Sequence, residues 1–215
     1  NNTAIGSGAL GGASYAATAN TAIGYLAGNV MTSGASSVII GAYAGDALTS
    51  GGSNTFVGYN SGTAATSGAN NVFMGSGTGA AHTTGANNAA YGMGTLAANT
   101  TASNNSAFGA FALDANTTGA QNTAVGWGAL GANETASYND AFGYGALDAC
   151  TTGANNVVFG SNAGGAITTG SNNVFIGLSA GDALTTASNS IGIGLNALGV
   201  TETSTINTAV GTSCM

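Results

Sequence analysis

The acidic side chains, the single histidine and the two cysteines are the residues of this sequence that could carry acid–base, metal-binding or thiol chemistry. Four of the acids stand five residues after a recurring glycine, and they are Asp46, Asp114, Asp148 and Asp182. Members of this set are at least two repeats apart, so the spacing does not favour paired-carboxylate catalysis. We expect them in solvated turns, with a weak contribution to Ca²⁺ binding between chains as the alternative.

His82 is the only histidine, which excludes His-based triads and metal sites with several histidines. Two segments, 6–11 and 126–131, match the GxGxxG pattern of dinucleotide-binding loops. Such a loop needs a helix after it inside a βαβ unit of ~30 residues. A repeat of 17 residues leaves no room for that unit, so we expect no nucleotide cofactor. Together with the arguments on the acids and on His82, the sequence predicts no enzyme, no cofactor and no metal ion.

Cys150 and Cys214 occupy different positions of the repeat and are almost four repeats apart. A disulfide requires Cα atoms within ~4.4–6.8 Å of each other. We therefore expect two small buried thiols, with a bridge between chains as the alternative.

Two sets of residues could interact with sugars. Aromatic residues follow the recurring glycine directly at Tyr25, Tyr59, Trp127 and Tyr144, where they could stack on glycans, although small residues such as Ala42 and Ser76 interrupt the row. Asn99, Asn116 and Asn133 each begin an Asn-X-Thr triplet, the acceptor pattern for N-linked glycosylation.

A glycine that closes a short apolar run sets the spacing of all these residues. It recurs every 17 residues after a first interval of 18, at Gly6, Gly24, Gly41, Gly58, Gly75, Gly92, Gly109, Gly126, Gly143, Gly160, Gly177, Gly194 and Gly211. A fixed short period indicates one small module stacked on copies of itself. We call these residues the anchor glycines and treat residues 1–215 as a single repeat array.

The composition favours strands over helices in this module. The chain has 38 glycines and no proline, and a Val, Ile, Phe, Met or Tyr precedes every anchor glycine. No 3.6-residue apolar stripe persists from repeat to repeat. The sequence therefore predicts an all-β fold, a parallel β-solenoid (β-roll or β-helix) of about twelve coils.

Three patterns predict the inside of a coil. Asparagine stands four residues before most anchor glycines, with Ser37 and Ser190 in two repeats, and a stacked row of it is a structural ladder. A large apolar residue directly before the glycine is expected to point inward. The residue before that one is also apolar, at Ile39, Phe56, Phe73, Val158 and Phe175 among others, so this second side of the strand is expected to be covered by other copies of the chain.

Sizes also vary together after the anchor glycine. A leucine four residues after it goes with a small or polar residue at the seventh position, as in Leu130 with Asn133. A glycine at the fourth position usually goes with a large seventh residue, as in Gly181 with Leu184, but Gly62 with Ala65 and Gly79 with His82 break the rule. We infer that the fourth and seventh positions share one pocket.

Charge and hydropathy exclude several partners. The chain has no Lys or Arg and a formal net charge of −7, so binding to nucleic acid or to anionic membrane surfaces is not expected. No apolar run reaches the ~18 residues of a membrane span, and the first residues of the sequence do not have the charged-then-apolar pattern of a leader. The repeat pattern begins and ends in the middle of a repeat unit, so we expect the sequence to be an excerpt of a longer array.

The repeat resembles a known type. NTAVGWGALGANETASYN, residues 122–139, is similar to repeats of phage tail-fibre-like proteins and related bacterial surface proteins, whose chains often end in a self-cleaving intramolecular chaperone domain. NTAxGxxA resembles, more distantly, the head repeats of YadA-like trimeric autotransporter adhesins, which are left-handed parallel β-rolls. The resemblance covers Asn1 to Gly211 and implies an extracellular or virion fibre and a homotrimer, although the 17-residue period differs from that of the adhesin heads.

We therefore expect a structural shaft of an extracellular fibre on a cell surface or virion, made of copies of the chain as a homotrimer or as an end-to-end filament. The alternative is an adhesin module in which one face of the solenoid binds cell-surface or matrix glycans. An ice-binding array built on Thr pairs such as Thr117-Thr118 is a weaker alternative, because Glu134 and Glu202 interrupt one Thr column.

Overall fold

The computed structural model describes residues 1–12, 16–200 and 205–215. In these ranges the chain forms three-residue strands, one per repeat: β1 Thr3–Ile5, β2 Thr21–Ile23, β3 Val38–Ile40, β4 Thr55–Val57, β5 Val72–Met74, β6 Ala89–Tyr91, β7 Ser106–Phe108, β8 Thr123–Val125, β9 Asp140–Phe142, β10 Val157–Phe159, β11 Val174–Ile176, β12 Ile191–Ile193 and β13 Thr208–Val210. The chain divides into two compact units, Asn1–Asn105 with β1–β6 and Ser106–Met215 with β7–β13.

In both units neighbouring strands are parallel and pair in sequence order. In the first unit Thr55 pairs with Val72, which lies 17 residues further along the chain. In the second unit Thr123 pairs with Asp140 at the same offset. A sheet built by successive turns of one chain, each strand stacked on its predecessor, is a parallel β-solenoid, and the predicted fold class is confirmed.

The anchor glycines allow successive coils to stack closely. Gly24 has a φ of +138°, a conformation that strains every other L-residue. A Cβ on Gly24 would also lie 2.6 Å from the carbonyl oxygen of Gly41 in the next coil. The period of the sequence therefore records a backbone requirement that recurs once per coil.

The predicted asparagine ladder is confirmed. Asn54 is buried, its Oδ1 accepts the backbone N–H of Asn71 at 2.9 Å, and its Nδ2 donates to the carbonyl of Gly68 at 2.8 Å. In the second unit Asn139 accepts from Asn156 in the same way at 3.0 Å. One side chain thus satisfies backbone groups of the next coil, which are costly to leave unpaired when buried.

The predicted direction of the strand side chains was wrong. The residue two before the anchor glycine is the one that points into the coil, and Phe56, Phe73 and Phe175 are 0% exposed. The residue directly before the glycine points outward, as at Phe159, which is 42% exposed. Both positions are apolar, so the period of two separates the sides without saying which is inner.

The interior is filled by three positions of the coil, of which the sequence indicated two. A Cβ on Gly62 would lie 2.9 Å from the ring of Phe56, and one on Gly181 would lie 2.7 Å from the ring of Phe175. A large residue two before the anchor glycine therefore requires glycine at the fourth position after it. Both exceptions to the size rule occur in coils with such a phenylalanine, Phe56 and Phe73, whereas the coil of Phe175 keeps a large seventh residue, Leu184.

The fourth position also makes room for the following coil. A Cβ on Gly45 would lie 3.0 Å from the ring of Phe56, which belongs to the next coil. A Cβ on Gly164 would lie 3.2 Å from Phe175 for the same reason. Each of these two phenylalanines is thus flanked by glycines of its own coil and of the coil before it.

Candidate functional site

Of the outward-pointing side chains, the third residue is apolar in every described strand, whereas the first residue is Thr, Ser or Asp in seven of them. We call the first and third residues of the strands the outer sheet face. Phe108, Phe159 and Ile176 in the second unit are 41%, 42% and 40% exposed, and the rings of Phe142 and Phe159 stack with centroids 4.4 Å apart. Asp140 is the one charged side chain at these positions of the described strands. A regular exposed face with so few charges is typical of an interaction surface.

The four aromatic residues predicted to stack on glycans are exposed, at 48% for Tyr25, 55% for Tyr59, 50% for Trp127 and 56% for Tyr144. Trp127 and Tyr144 lie together, with ring centroids 5.0 Å apart and planes 13° from parallel. Tyr25 and Tyr59 are joined through Tyr43, which contacts each of them edge to face at 5.3 and 6.1 Å.

Tyr43 and its counterpart Phe111 were not among the predicted site residues, and Phe111 contacts Trp127 edge to face at 6.3 Å. Both residues stand two positions after the anchor glycine, with a φ of +58°. Bulky residues with a positive φ are uncommon. The residue types at this position therefore did not suggest an aromatic contact, and only the backbone geometry of the structure shows it.

The three residues predicted as glycosylation acceptors lie inside the coil. Asn99, Asn116 and Asn133 are each 0% exposed. Nδ2 of Asn116 donates to the carbonyl of Gly119 at 3.0 Å, and Nδ2 of Asn133 donates to Oδ1 of Asn116 at 2.9 Å. N-linked glycosylation modifies this nitrogen, and the folded coil keeps it away from solvent in all three residues.

His82 is fully buried and both of its ring nitrogens are hydrogen-bonded. Nε2 lies 2.8 Å from the carbonyl oxygen of Gly85, which can only accept, so Nε2 carries the proton. Nδ1 lies 3.2 Å from Nδ2 of Asn99, which donates to it. Phe73 lies against the ring at 5.1 Å, and burial lowers the pKa of His82 below its ordinary value of 6.5.

The two cysteines are free thiols with different surroundings. Cys150 is buried, as predicted, and its thiol donates to the carbonyl of Gly153 at 3.3 Å. Burial raises the pKa of Cys150 to about 11, which keeps the thiol protonated and unreactive at neutral pH. Cys214 is partly exposed, so the prediction of a buried thiol was wrong there.

A groove of about 450 Å³ crosses the turns after β7, β8 and β9 in the second unit. Phe111 and Trp127 line it on one side, with Asp114 and Asp148 beside Gly131. Oδ1 of Asp148 and Oδ1 of Asp114 lie 2.9 and 3.5 Å from the position that a Cβ on Gly131 would occupy. Two carboxylates that stand two coils apart in sequence thus turn toward the same point.

The electrostatics of this pair reflect its position. Burial raises the pKa of the Asp114 carboxyl above its ordinary value, and the charge of Asp148 raises it further, while backbone hydrogen bonds oppose both effects. Burial also raises the pKa of Asp148. Asp46 in the first unit has a hydrogen-bond donor at the corresponding place of the next coil, where the hydroxyl of Thr63 donates to Oδ1 of Asp46 at 2.8 Å.

At the hydroxyl-rich corner of the coil, the threonine eight residues after the anchor glycine donates its hydroxyl to a carbonyl of the next coil. Thr49 and Thr66 each donate their hydroxyl to the carbonyl of the threonine 17 residues further on, at 2.9 and 3.1 Å. Thr117 donates to the carbonyl of Glu134 at 2.9 Å, and Glu202 lies outside the described residues.

The part of the chain that the structure describes contains no group of three or more His, Cys, Asp or Glu side chains placed to hold a metal ion. It also contains no helix with the length and apolar character needed to cross a membrane. No protein-family model matches the chain, and neither the curated proteins nor the solved structures contain a significant match.

Proposed function

We propose that this chain is a structural shaft segment of an extracellular fibre, on a cell surface or a virion, and that copies of the chain associate through the outer sheet face. The observation that carries the proposal is the exposure of apolar side chains at regular spacing along that face, as at Phe108, Phe159 and Ile176. Burying them against identical chains removes apolar surface from water, which stabilises the assembly by ~25 cal/mol for each Å² of that surface.

The uniformity of the coils supports a structural role. Strands in both units have the same length, and neighbouring strands within each unit keep a 17-residue register after the 18-residue offset between β1 and β2. Repeats that each contact only their neighbours can be added to build length without a new fold. A homotrimer is the preferred assembly, and an end-to-end filament is the rival.

Analytical ultracentrifugation of the intact chain tests the proposal. Its mass is 20.2 kDa, and we expect a species of three chains at micromolar concentration. Phe159→Glu together with Ile176→Glu should weaken association about 100-fold or more, because carboxylates would be buried in the contact. Thr169→Glu, at an exposed site outside the strands, is the matched control and should leave the assembly intact. A monomer at all concentrations would contradict the proposal.

A second candidate function is glycan binding by the exposed aromatic residues, and the parallel stack of Trp127 on Tyr144 favours it. Flat exposed rings suit the apolar faces of sugars. Binding on a glycan array that disappears in Trp127→Ala and weakens in Tyr144→Ala would support this function. An unchanged binding pattern in both variants, or no binding by the native chain, would exclude it.

A further inference from the structure

The groove beside Trp127 combines an aromatic wall with uncompensated negative charge. Phe111 and Trp127 meet edge to face at 6.3 Å, which leaves ring surface facing the groove. Asp114 and Asp148 bring their Oδ1 atoms to the same point above Gly131. The two features lie in one space of about 450 Å³.

Glycine at position 131 is what opens this space. The equivalent position holds Thr63 in the first unit, where the hydroxyl bonds Asp46 at 2.8 Å. Gly131 does not have a positive φ, so its backbone would accept a side chain. The backbone therefore allows a side chain with a hydrogen-bond donor at this position. In the second unit Gly131 provides no such side chain between the carboxylates of Asp114 and Asp148.

The chain cannot neutralise the pair by itself. It contains no Lys and no Arg, and its one histidine is buried inside a coil of the first unit. Like charges that share a site raise the free energy of the folded protein, and a cation from outside relieves that repulsion.

We propose that this groove is a binding site for an organic cation, with an ammonium or guanidinium group seated between Asp114 and Asp148 above Gly131 and its carbon skeleton against Trp127 and Phe111. Charge-assisted hydrogen bonds to the carboxylates hold the cationic group. The ring faces add cation–π attraction and apolar contact. The site requires neither self-association nor the fibre role.

Other ligand classes fit this groove less well. Calcium takes six to eight oxygen ligands, whereas two carboxylates converge here, and no larger cluster occurs among the described residues. A neutral sugar could use the rings but would leave the repulsion between the carboxylates unrelieved. A neighbouring groove of about 310 Å³, where Gly165 lies between Asp148 and Asp182, has no aromatic residue among those lining it. It offers the charge without the ring faces.

Trp127 is the only tryptophan of the chain, so indole fluorescence reports on this groove alone. Titrations of the intact chain at constant ionic strength would use glucosamine and ethylguanidinium as cations and glucose as the neutral match of glucosamine. We expect saturable fluorescence changes with both cations and none with glucose. Tighter binding of glucosamine would indicate amino sugars as the natural ligand class, and tighter binding of ethylguanidinium would indicate arginine-like groups.

Three variants locate the site. Asp114→Asn and Asp148→Asn should each weaken cation binding by about tenfold or more, since each removes a charged acceptor. Gly131→Thr keeps both charges but fills the gap, and it should abolish saturation. Asp46→Asn in the first unit is the control and should bind as the native chain does. Circular dichroism would verify that each variant is folded.

An equal response to glucose and glucosamine, or no response to either cation, would overturn the proposal. So would native affinity in Asp114→Asn and Asp148→Asn, or in Gly131→Thr. None of these results bears on the assembly state, which the ultracentrifuge measures separately.

Discussion

The seventh position after the anchor glycine shows how a polar side chain can replace an apolar one inside a narrow coil. His82 donates from Nε2 to the carbonyl of Gly85 at 2.8 Å, and Asn116 donates to Gly119 at 3.0 Å. The thiol of Cys150 makes the corresponding bond to Gly153 at 3.3 Å. Three chemically different side chains thus bond the carbonyl three residues further on, which makes polarity tolerable there.

The buried histidine predicts a pH dependence of stability. The folded coil holds His82 neutral, because Nδ1 already accepts from Asn99 and burial lowers the pKa of the ring. The unfolded chain takes up a proton below its ordinary pKa of 6.5, so the free energy of unfolding should fall as pH decreases below that value. The loss is at most about 1.4 kcal/mol per pH unit.

Urea unfolding at pH 7.5 and 5.5 would measure this effect. His82→Asn is the matched control, since Asn occupies the same position at Asn99 and Asn116. The variant should lose less stability than the native chain between the two pH values, while contributions from Asp114 and Asp148 cancel in the comparison. Parallel losses in both proteins would show that His82 is not responsible.

At the scale of the coil, the sequence predicted the repeat unit and the asparagine ladder but not the orientation of the strand. The period was visible because glycine at Gly24 and its equivalents is required by both φ and the neighbouring carbonyl. The orientation of the strand was not visible in the sequence, because Phe56 and Val57 are both apolar. Only the structure shows that Phe56 is the inner residue. A signal was present in the joint variation of Phe175 with Gly181 and of Ala124 with Leu130.

The candidate groove was missed for a related reason. Asp114 and Asp148 are two coils apart, a separation of ~9.6 Å between their backbones at normal strand spacing. That distance suggested two independent acids. The missing side chain at Gly131 lets both carboxylates lean into the same gap, and this lean depends on rotamers that no spacing in the sequence reports.

Volume exchange inside the coil predicts a favourable coupling between two destabilising changes. Phe175→Ala should cost about 3–5 kcal/mol of stability through the cavity it leaves. Gly181→Leu alone should also destabilise, because its Cβ would lie 2.7 Å from the Phe175 ring. With Leu184→Ala in every variant of the cycle, so that the seventh position is small as it is beside Leu130, the double variant has the pairing of Ala124 with Leu130, and we expect a coupling energy of about 1–3 kcal/mol in its favour.

Chemical denaturation of the single and double variants would give this coupling. Phe175→Ala combined with Leu130→Ala, which lies in a distant coil, provides an additive control. Additive losses for Phe175 and Gly181 would mean that the two positions do not share a pocket.

At the scale of the whole chain, the stability of each unit comes from contacts between neighbouring coils rather than from a central core. Removal of residues 161–177 deletes one full period from the second unit and joins Gly160 to Leu178, which preserves the register. We expect this variant to keep its β-sheet circular dichroism and a cooperative thermal transition, with a modest fall in midpoint.

The control for this deletion removes residues 161–173, four residues fewer. It shifts every later coil out of register with the strands before it and should abolish the cooperative transition of the second unit. If both deletions behaved alike, stacking in register would not be the source of stability.

Phe56 lies between Gly45 and Gly62, and Phe175 lies between Gly164 and Gly181. This arrangement also constrains the order in which such coils can evolve. A phenylalanine that arises by mutation while leucine still occupies either flanking position meets a filled interior, and selection removes it. Two glycine substitutions must come first, each at the expense of a temporary void. Ancestral coils are therefore expected to have carried alanine opposite leucine, as at Ala124 and Leu130, with phenylalanine coils as later descendants of glycine-bearing intermediates.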